Sequence, residues 1–305
     1  MKRLGVIDIG TNSIKFHVAE LTPERKIVTI LDEIEITKLG EGLRETGVLS
    51  YDAMIRNRDV ISKFVSKARS LHVDKMIGVG TMALRRAENA LEFIDMIKKA
   101  NDLEIKVISG EEEASLSYQA ALSGLEQREE DIAIFDTGGG STEFIFGNKK
   151  DIQRKHSVDL GALTVTESYF KEDPVKDGDL KRALEDIRHI FEDHGVGGSI
   201  TQLIGVGGTV TSLAAVKHKM TQYDPDIIQG SMLGLEELNE QIALYASKTI
   251  QERKRIVGLS PKRAEIILGG ACIVKVIMEM MSMDFLTVSN RGLRHALAYE
   301  WFNGK

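Results

Sequence analysis

The residues with the strongest chemical signal lie in residues 132–147, Ile-Ala-Ile-Phe-Asp-Thr-Gly-Gly-Gly-Ser-Thr-Glu-Phe-Ile-Phe-Gly. Two carboxylates, Asp136 and Glu143, flank a run of small residues from Gly138 to Thr142. Glycines in a turn let the backbone come close to a ligand. Successive backbone N–H groups there can form an anion-binding nest. Ser141 and Thr142 add hydroxyl donors. Two carboxylates beside a nest fit a metal ion shared between them and a phosphate. The plainer reading is a tight hairpin with a solvated glutamate, but three glycines in a row exceed what a hairpin needs.

The same pattern occurs near the start of the chain. Val6-Ile7-Asp8-Ile9-Gly10-Thr11-Asn12-Ser13-Ile14-Lys15-Phe16 aligns on it without a gap, at an offset of 128 residues. Asp8 falls on Asp136, Gly10 on Gly138, Ser13 on Ser141 and Phe16 on Phe144. Lys15 stands where Glu143 stands, so the two copies differ in chemistry. A repeat at this spacing predicts two similarly folded halves, each presenting a phosphate-type turn. Chance similarity of two β-hairpins is the alternative.

The elements that must carry these turns follow from apolar spacing. Residues 3–9, 14–21 and 26–37 read as three strands, and 131–135, 142–146 and 152–158 repeat them. Ser50 reads as the N-cap of a helix whose Met54, Ile61, Phe64, Val65 and Leu71 share a face. A strand is expected at 75–79, then a helix through about residue 99, then a strand at 104–108. Ser109 and Glu112 have capping-box spacing for the next helix. Carboxylates in a first helical turn complement the helix dipole, which accounts for at least two of Glu111, Glu112 and Glu113. Further helices are expected at 161–170, 176–192, 210–217, 235–246, 250–257, 261–281 and 292–302, with strands at 202–206 and 284–288. The charged stretch 126–131 is the best domain boundary. It gives domains at 1–123 and 124–305, with the final helix able to pack back on the first. Gly207-Gly208-Thr209, between strand and helix, is a second candidate phosphate turn.

At 305 residues the chain suits about two domains. Its 42% hydrophobic and 28% charged content is ordinary for a soluble globular protein. A net charge of −6 does not suit a general nucleic-acid binder, so attraction of a polyanion must be local. The single cysteine, Cys272, excludes an internal disulfide and thiolate zinc chemistry. No secretory n-region and no run long enough to span a membrane is present. A cytoplasmic enzyme fits, as does a cytoplasmic binding protein. There is no HExxH helix, no GxSxG elbow and no GxxxxGK[ST] loop. A metal, if used, is therefore a hard ion with oxygen ligands. Mg2+ is the default, with other divalent ions open.

Asp-x-Gly-Thr-Asn-Ser at Asp8–Ser13, Asp-x-Gly-Gly-Gly-Ser-Thr-Glu at Asp136–Glu143 and Gly-Val-Gly-Gly-Thr at Gly205–Thr209 occur in order. This set resembles the actin, Hsp70 and sugar-kinase superfamily. Thr81-x-Ala-Leu-Arg-x-Ala-x-Asn89, Ile108-Ser-Gly-x-Glu-Glu-Ala114 and Ser289-x-x-Gly-Leu-Arg294 narrow the match. Together they resemble the exopolyphosphatase and guanosine pentaphosphate phosphohydrolase family over about residues 4–298. The resemblance implies two duplicated ribonuclease-H-like (actin-like) α/β domains with an active-site cleft between them. It makes Glu113 the general base, places metal-linked and catalytic carboxylates at Asp136 and Glu143, and makes Arg85 a catalytic cleft arginine. Phosphate binding falls on Asn12, Ser13, Gly139, Gly140, Ser141, Gly208, Thr209 and Arg294. The implied substrates are polyphosphate or guanosine pentaphosphate, with Mg2+, no nucleic acid, no membrane, and room for a homodimer. Long family members carry C-terminal helical domains, so a chain ending at Lys305 is expected to be less processive. A small-molecule kinase of the superfamily and a non-catalytic sensor of polyphosphate or guanosine tetraphosphate are the alternatives.

Overall fold

The computed structural model describes residues 2–122, 125, 131–148 and 152–304. The strands are β1 (Lys2–Ile9), β2 (Ser13–Leu21), β3 (Ile27–Ile36), β4 (Lys75–Gly80), β5 (Ile105–Val107), β6 (Ile132–Thr137), β7 (Thr142–Gly147), β8 (Ile152–Val158), β9 (Gln202–Val206), β10 (Met232–Gly234) and β11 (Phe285–Ser289). The helices are α1 (Leu43–Thr46), α2 (Tyr51–Ser70), α3 (Met82–Arg86), α4 (Ala90–Asn101), α5 (Gly110–Leu122), α6 (Ala162–Tyr169), α7 (Asp177–Asp193), α8 (Gly207–Lys217), α9 (Pro225–Ile228), α10 (Leu235–Ala246), α11 (Ile250–Arg253), α12 (Ile267–Met280) and α13 (Leu293–Phe302).

The chain divides into two α/β units, Met1–Leu116 with Leu293–Lys305, and Ser117–Gly292. The division falls inside α5, and α13 belongs to the first unit. Of the charged stretch 126–131, taken above as a boundary, residues 126–130 lie outside the described residues.

Each unit is built on a mixed sheet. The first has the order β3-β2-β1-β4-β5 and the second β10-β11-β9-β6-β7-β8. In each, three antiparallel strands continue into parallel ones: β1 pairs antiparallel with β2 and parallel with β4, and β6 pairs antiparallel with β7 and parallel with β9. β10 extends the second sheet. The central strands are buried on both faces, as their unbroken apolar runs require.

The duplication reaches side-chain packing. Phe16 of β2 stacks on Phe64 of α2 at 5.0 Å between ring centroids, and Phe144 of β7 meets Phe191 of α7 edge-on at the same distance. Ser50 caps α2 by accepting the Ala53 N–H at 3.2 Å. Cys272 lies fully buried in α12, and burial pushes its thiol up to about 12, so it is inert.

Several boundaries differ from the sequence reading. The segment 80–89, expected to lead into the helix through about residue 99, carries a short helix of its own, α3, set off from α4 because Ala87 is extended and Asn89 bonds both backbone groups of Leu49, at 2.8 and 2.9 Å. The helix expected at 261–281 opens as a short 3-10 turn at Pro261–Arg263 before α12. α8 starts at Gly207 instead of residue 210, which puts Gly208 and Thr209 in its first turn.

Candidate functional site

In the second unit, Asp136 and Glu143 stand directly opposite each other on β6 and β7, with Thr137 opposite Thr142 at the turn. The Gly138 N–H donates to the Ser141 carbonyl at 3.0 Å and closes the turn. The Gly138 carbonyl accepts from Ala162 N at 3.0 Å, and the Gly139 carbonyl from Leu163 N at 2.8 Å and Thr164 N at 3.3 Å. The first turn of α6 thus takes up these carbonyls. Because a trans peptide opposes its N–H to its C=O, the Gly139 and Gly140 N–H groups are directed away from α6. This approach requires glycine at 161, where a Cβ would lie 2.5 Å from the Gly139 oxygen.

Glu143 is 1% exposed and accepts a hydrogen bond from Ser157 Oγ of β8 at 3.1 Å. Asp136 Oδ2 accepts from Ser117 Oγ of α5 at 3.2 Å. Asp136 Oδ1 lies against Gly207, whose φ of +94° favours glycine and whose missing side chain leaves room for the carboxylate. Thr209 Oγ1 donates to the Thr137 carbonyl at 3.3 Å. The Arg263 guanidinium packs on the bare Cα of Gly208. Burial pushes Arg263 down to about 10, against a smaller opposing effect of Tyr223, so it stays cationic at neutral pH.

In the first unit, Gly10 N–H donates to the Ser13 carbonyl at 3.0 Å, the same bond that closes the second hairpin. Asp8 faces Lys15 across the ladder and accepts its ammonium at 2.9 Å. The Asn12 carbonyl accepts from Thr37 N and Lys38 N, both at 3.0 Å. Its buried side-chain amide bonds nothing among the described residues. Arg85, on α3, donates from Nη1 to Glu113 Oε2 at 3.2 Å and to the Ile108 carbonyl at 3.0 Å. Its buried Nη2 makes no bond among the described residues. Glu112 instead pairs with Lys106 at 2.5 Å and takes the Ser109 cap at 3.1 Å. Arg86 is exposed, as its helical offset from Arg85 predicts.

Arg294, implied to bind phosphate, donates from Nε and Nη2 to the two oxygens of Asp32, each at 2.7 Å. The structure therefore gives it an anchoring contact between α13 and β3. Burial opposes ionisation of Asp32, but the Arg294 guanidinium and His295 outweigh it and hold the carboxyl well below its usual range.

Ser117, Ser157, Arg263 and Asp32 were not singled out from the sequence. Ser117 had a signal, since it lies one helical turn after Glu113. Arg263 had none, because only tertiary folding brings it to Gly208.

The donor set suits a hard divalent ion. Asp136 and Glu143 offer two carboxylates in register, and Mg2+ is commonly held by one or two carboxylates together with substrate phosphates and water. Among the described residues no group of three or more metal-ligating side chains occurs, so an all-protein cage is not built. No described helix is long and apolar enough to cross a membrane.

A sequence profile described as the Ppx/GppA phosphatase family matches residues 17–304. The chain is 32% identical over 304 residues to a bifunctional 3-dehydroquinate synthase/phosphatase of Fusobacterium nucleatum, covering 93% of this chain and 44% of that protein. It is 28% identical over 323 residues to exopolyphosphatase 2 of Mycobacterium tuberculosis, covering 98% of each. Among solved structures, the Aquifex aeolicus member of the Ppx/GppA family superposes with a TM-score of 0.84 at 30% identity, covering 99% of this chain and 98% of that one.

Proposed function

The chain belongs to the Ppx/GppA phosphatase family, and on that premise we propose that it hydrolyses a terminal phosphoanhydride bond. The substrate is inorganic polyphosphate or the 5′-γ-phosphate of guanosine pentaphosphate. The observation that carries the reading is the Asp136–Glu143 pair, facing across the ladder beside a glycine turn whose carbonyls are taken up by α6.

Phosphoryl transfer to water asks a protein for positioning and charge neutralisation more than for covalent chemistry. The N–H groups of Gly139 and Gly140 bind phosphate oxygens, with Ser141 and Thr209 beside them. Asn12 and Ser13 serve the equivalent first turn, and Gly208 lies in the first turn of α8, where N–H groups favour an anion. Arg85 holds the Glu113 carboxylate at 3.2 Å and supplies positive charge. Glu113 orients the attacking water and accepts its proton as the oxygen–phosphorus bond forms and the bridging bond breaks towards the leaving phosphate. Asp136 and Glu143 would hold Mg2+, which neutralises phosphate oxygens when bound.

The test is phosphate release with Mg2+ from long polyphosphate, short polyphosphate and guanosine pentaphosphate side by side, with Glu113→Gln as the blank. Release that the variant lacks by at least about 100-fold is expected, the low end of a general-base contribution. Near-normal turnover in the variant removes Glu113 from the mechanism. Tight binding without release makes the protein a sensor, and ATP-dependent phosphorylation of a sugar or acid makes it a kinase.

A further inference from the structure

The first turn is held from one side by residues 37–40, which follow β3. Gly40 N–H donates to the Thr11 carbonyl at 2.9 Å, and the Thr37 and Lys38 N–H groups donate to the Asn12 carbonyl, both at 3.0 Å. These peptides are trans, the one cis bond among the described residues being Asp173–Pro174. The N–H groups of Asn12 and Ser13, each opposite a carbonyl so engaged, are therefore directed away from residues 37–40. α6 imposes the same arrangement on the second turn, where it takes up the Gly138 and Gly139 carbonyls. Asn12 is buried, and neither polar atom of its side-chain amide has a partner among the described residues. A buried amide left unbonded is costly, and a ligand oxygen relieves that cost.

Residues 37 and 38 are fixed in turn by α2. Arg56 Nε donates to the Thr37 carbonyl at 2.6 Å, and its Nη2 to the Lys38 carbonyl at 3.3 Å. Asn57, fully buried, adds its Nδ2 to the Thr37 carbonyl at 3.3 Å and to the Ala53 carbonyl at 2.8 Å. A planar guanidinium spans two successive carbonyls at fixed spacing, which a single ammonium does not. Arg56 also meets the Glu41 carboxylate at 3.4 Å, with 42% and 54% of the two side chains exposed. Exposed pairs of this kind contribute little, so the carbonyl contacts are what distinguishes this arginine. We infer that Arg56 is a positioning residue for phosphate binding: by fixing Thr37 and Lys38 from α2, it aims the Asn12 and Ser13 N–H groups and the Asn12 amide at phosphate oxygens. The inference rests on the phosphate role of Asn12 and Ser13 proposed above. Arg56 acts through the backbone and needs no contact with substrate.

The test measures binding of diimidotriphosphate, a tripolyphosphate analogue whose P–NH–P bridges resist hydrolysis, to the full chain with Mg2+ by isothermal titration calorimetry. Arg56→Met keeps the aliphatic stem and removes the donors. It is expected to raise Kd about tenfold, the effect of about one hydrogen bond, with the fraction of binding-competent chains unchanged. Arg56→Lys, with one donor group in place of a fork, is expected to fall between Arg56→Met and the natural chain. Glu41→Gln, which removes only the exposed ionic contact, is expected to bind as the natural chain does. Asn12→Ala tests the turn itself and is expected to raise Kd at least as much as Arg56→Met. A merely structural role for Arg56 lowers the urea midpoint and the competent fraction and leaves Kd alone. Unchanged Kd in Arg56→Met beside a raised Kd in Asn12→Ala overturns the inference, as does an equal loss in Glu41→Gln. Unchanged Kd in both Arg56→Met and Asn12→Ala, or no binding by the natural chain, overturns the phosphate role of the first turn and the inference with it, which separates the two failures.

Discussion

At the scale of single residues, the acids are distinguished by what holds them. Glu112 and Glu113 are neighbours in sequence, yet one faces Lys106 at the surface and the other Arg85. Asp136 is held through Ser117, and Glu143 through Ser157. A hydrogen bond to a charged group contributes about 1.5–3 kcal/mol. Ser117→Ala is therefore expected to raise the Mg2+ concentration for half-maximal phosphate release by about tenfold, with kcat at saturating Mg2+ nearly unchanged. Ser117→Thr, which keeps the hydroxyl, should restore the requirement. A loss of kcat at all Mg2+ concentrations would instead give Ser117 a part in the chemical step. Removing Arg294 has another consequence: it leaves the partly exposed Asp32 carboxylate without the guanidinium that holds its pKa down.

At the scale of elements, the second glycine turn depends on α6 as much as on its own sequence. Three α6 N–H groups bond the Gly138 and Gly139 carbonyls, and glycine at 161 permits the contact. Gly161→Val forces a side chain into the backbone of Gly139 and Gly140. Overpacking of this kind costs about 1–3 kcal/mol. Urea denaturation should register that loss, and KM should rise more than kcat falls, because the amide groups proposed to bind phosphate are displaced. Unchanged KM in a folded variant would show that the turn does not bind substrate. α3 and α4 make the same point. Had they run as one helix, Ala87 and Asn89 would be helical and Asn89 could not bond Leu49.

At the scale of the whole molecule, charge and titration decide how the protein meets its surroundings. The net charge of −6 repels a polyanion, so binding depends on groups brought together locally. The first unit also contains a buried histidine. His17 packs on His295 with ring centroids 4.5 Å apart, shares a hydrogen bond with Thr29 Oγ1 at 3.1 Å, and is close to Asp32 and Arg294. Burial first, and His295 second, push its ring from the ordinary 6.5 down to about 3. Between those values the unfolded chain binds a proton that the folded one does not. Stability is therefore complete above about pH 6.5 and falls with decreasing pH, by up to about 1.4 kcal/mol per pH unit. Asp32, whose ordinary value is 3.8, adds to the loss only below that pH. The single tryptophan, Trp301, packs in the first unit and reports on it by fluorescence. Its urea midpoint should fall between pH 6.5 and 4.5, and His17→Leu should flatten the slope. An unchanged slope in the variant would assign the effect to another group.

By itself the sequence determined the class of chemistry and the duplicated frame. Asp8 and Asp136, the glycines after them and Phe16 and Phe144 recur at one offset, and local spacing set most strands and helices. That much is legible because hairpin register, apolar period and turn residues act over a few positions. The partners of the site residues were not legible, because they come from distant parts of the chain. Ser157 reaches Glu143 across a ladder, Arg263 reaches Gly208 from 55 positions away, and Asp32 takes Arg294 from the far end of the chain. The sequence placed a lysine opposite an aspartate and a glutamate opposite another. Only the tertiary structure decided which side chains from outside each hairpin reach these pairs, because contacts between residues distant in sequence follow from packing, which local sequence does not fix.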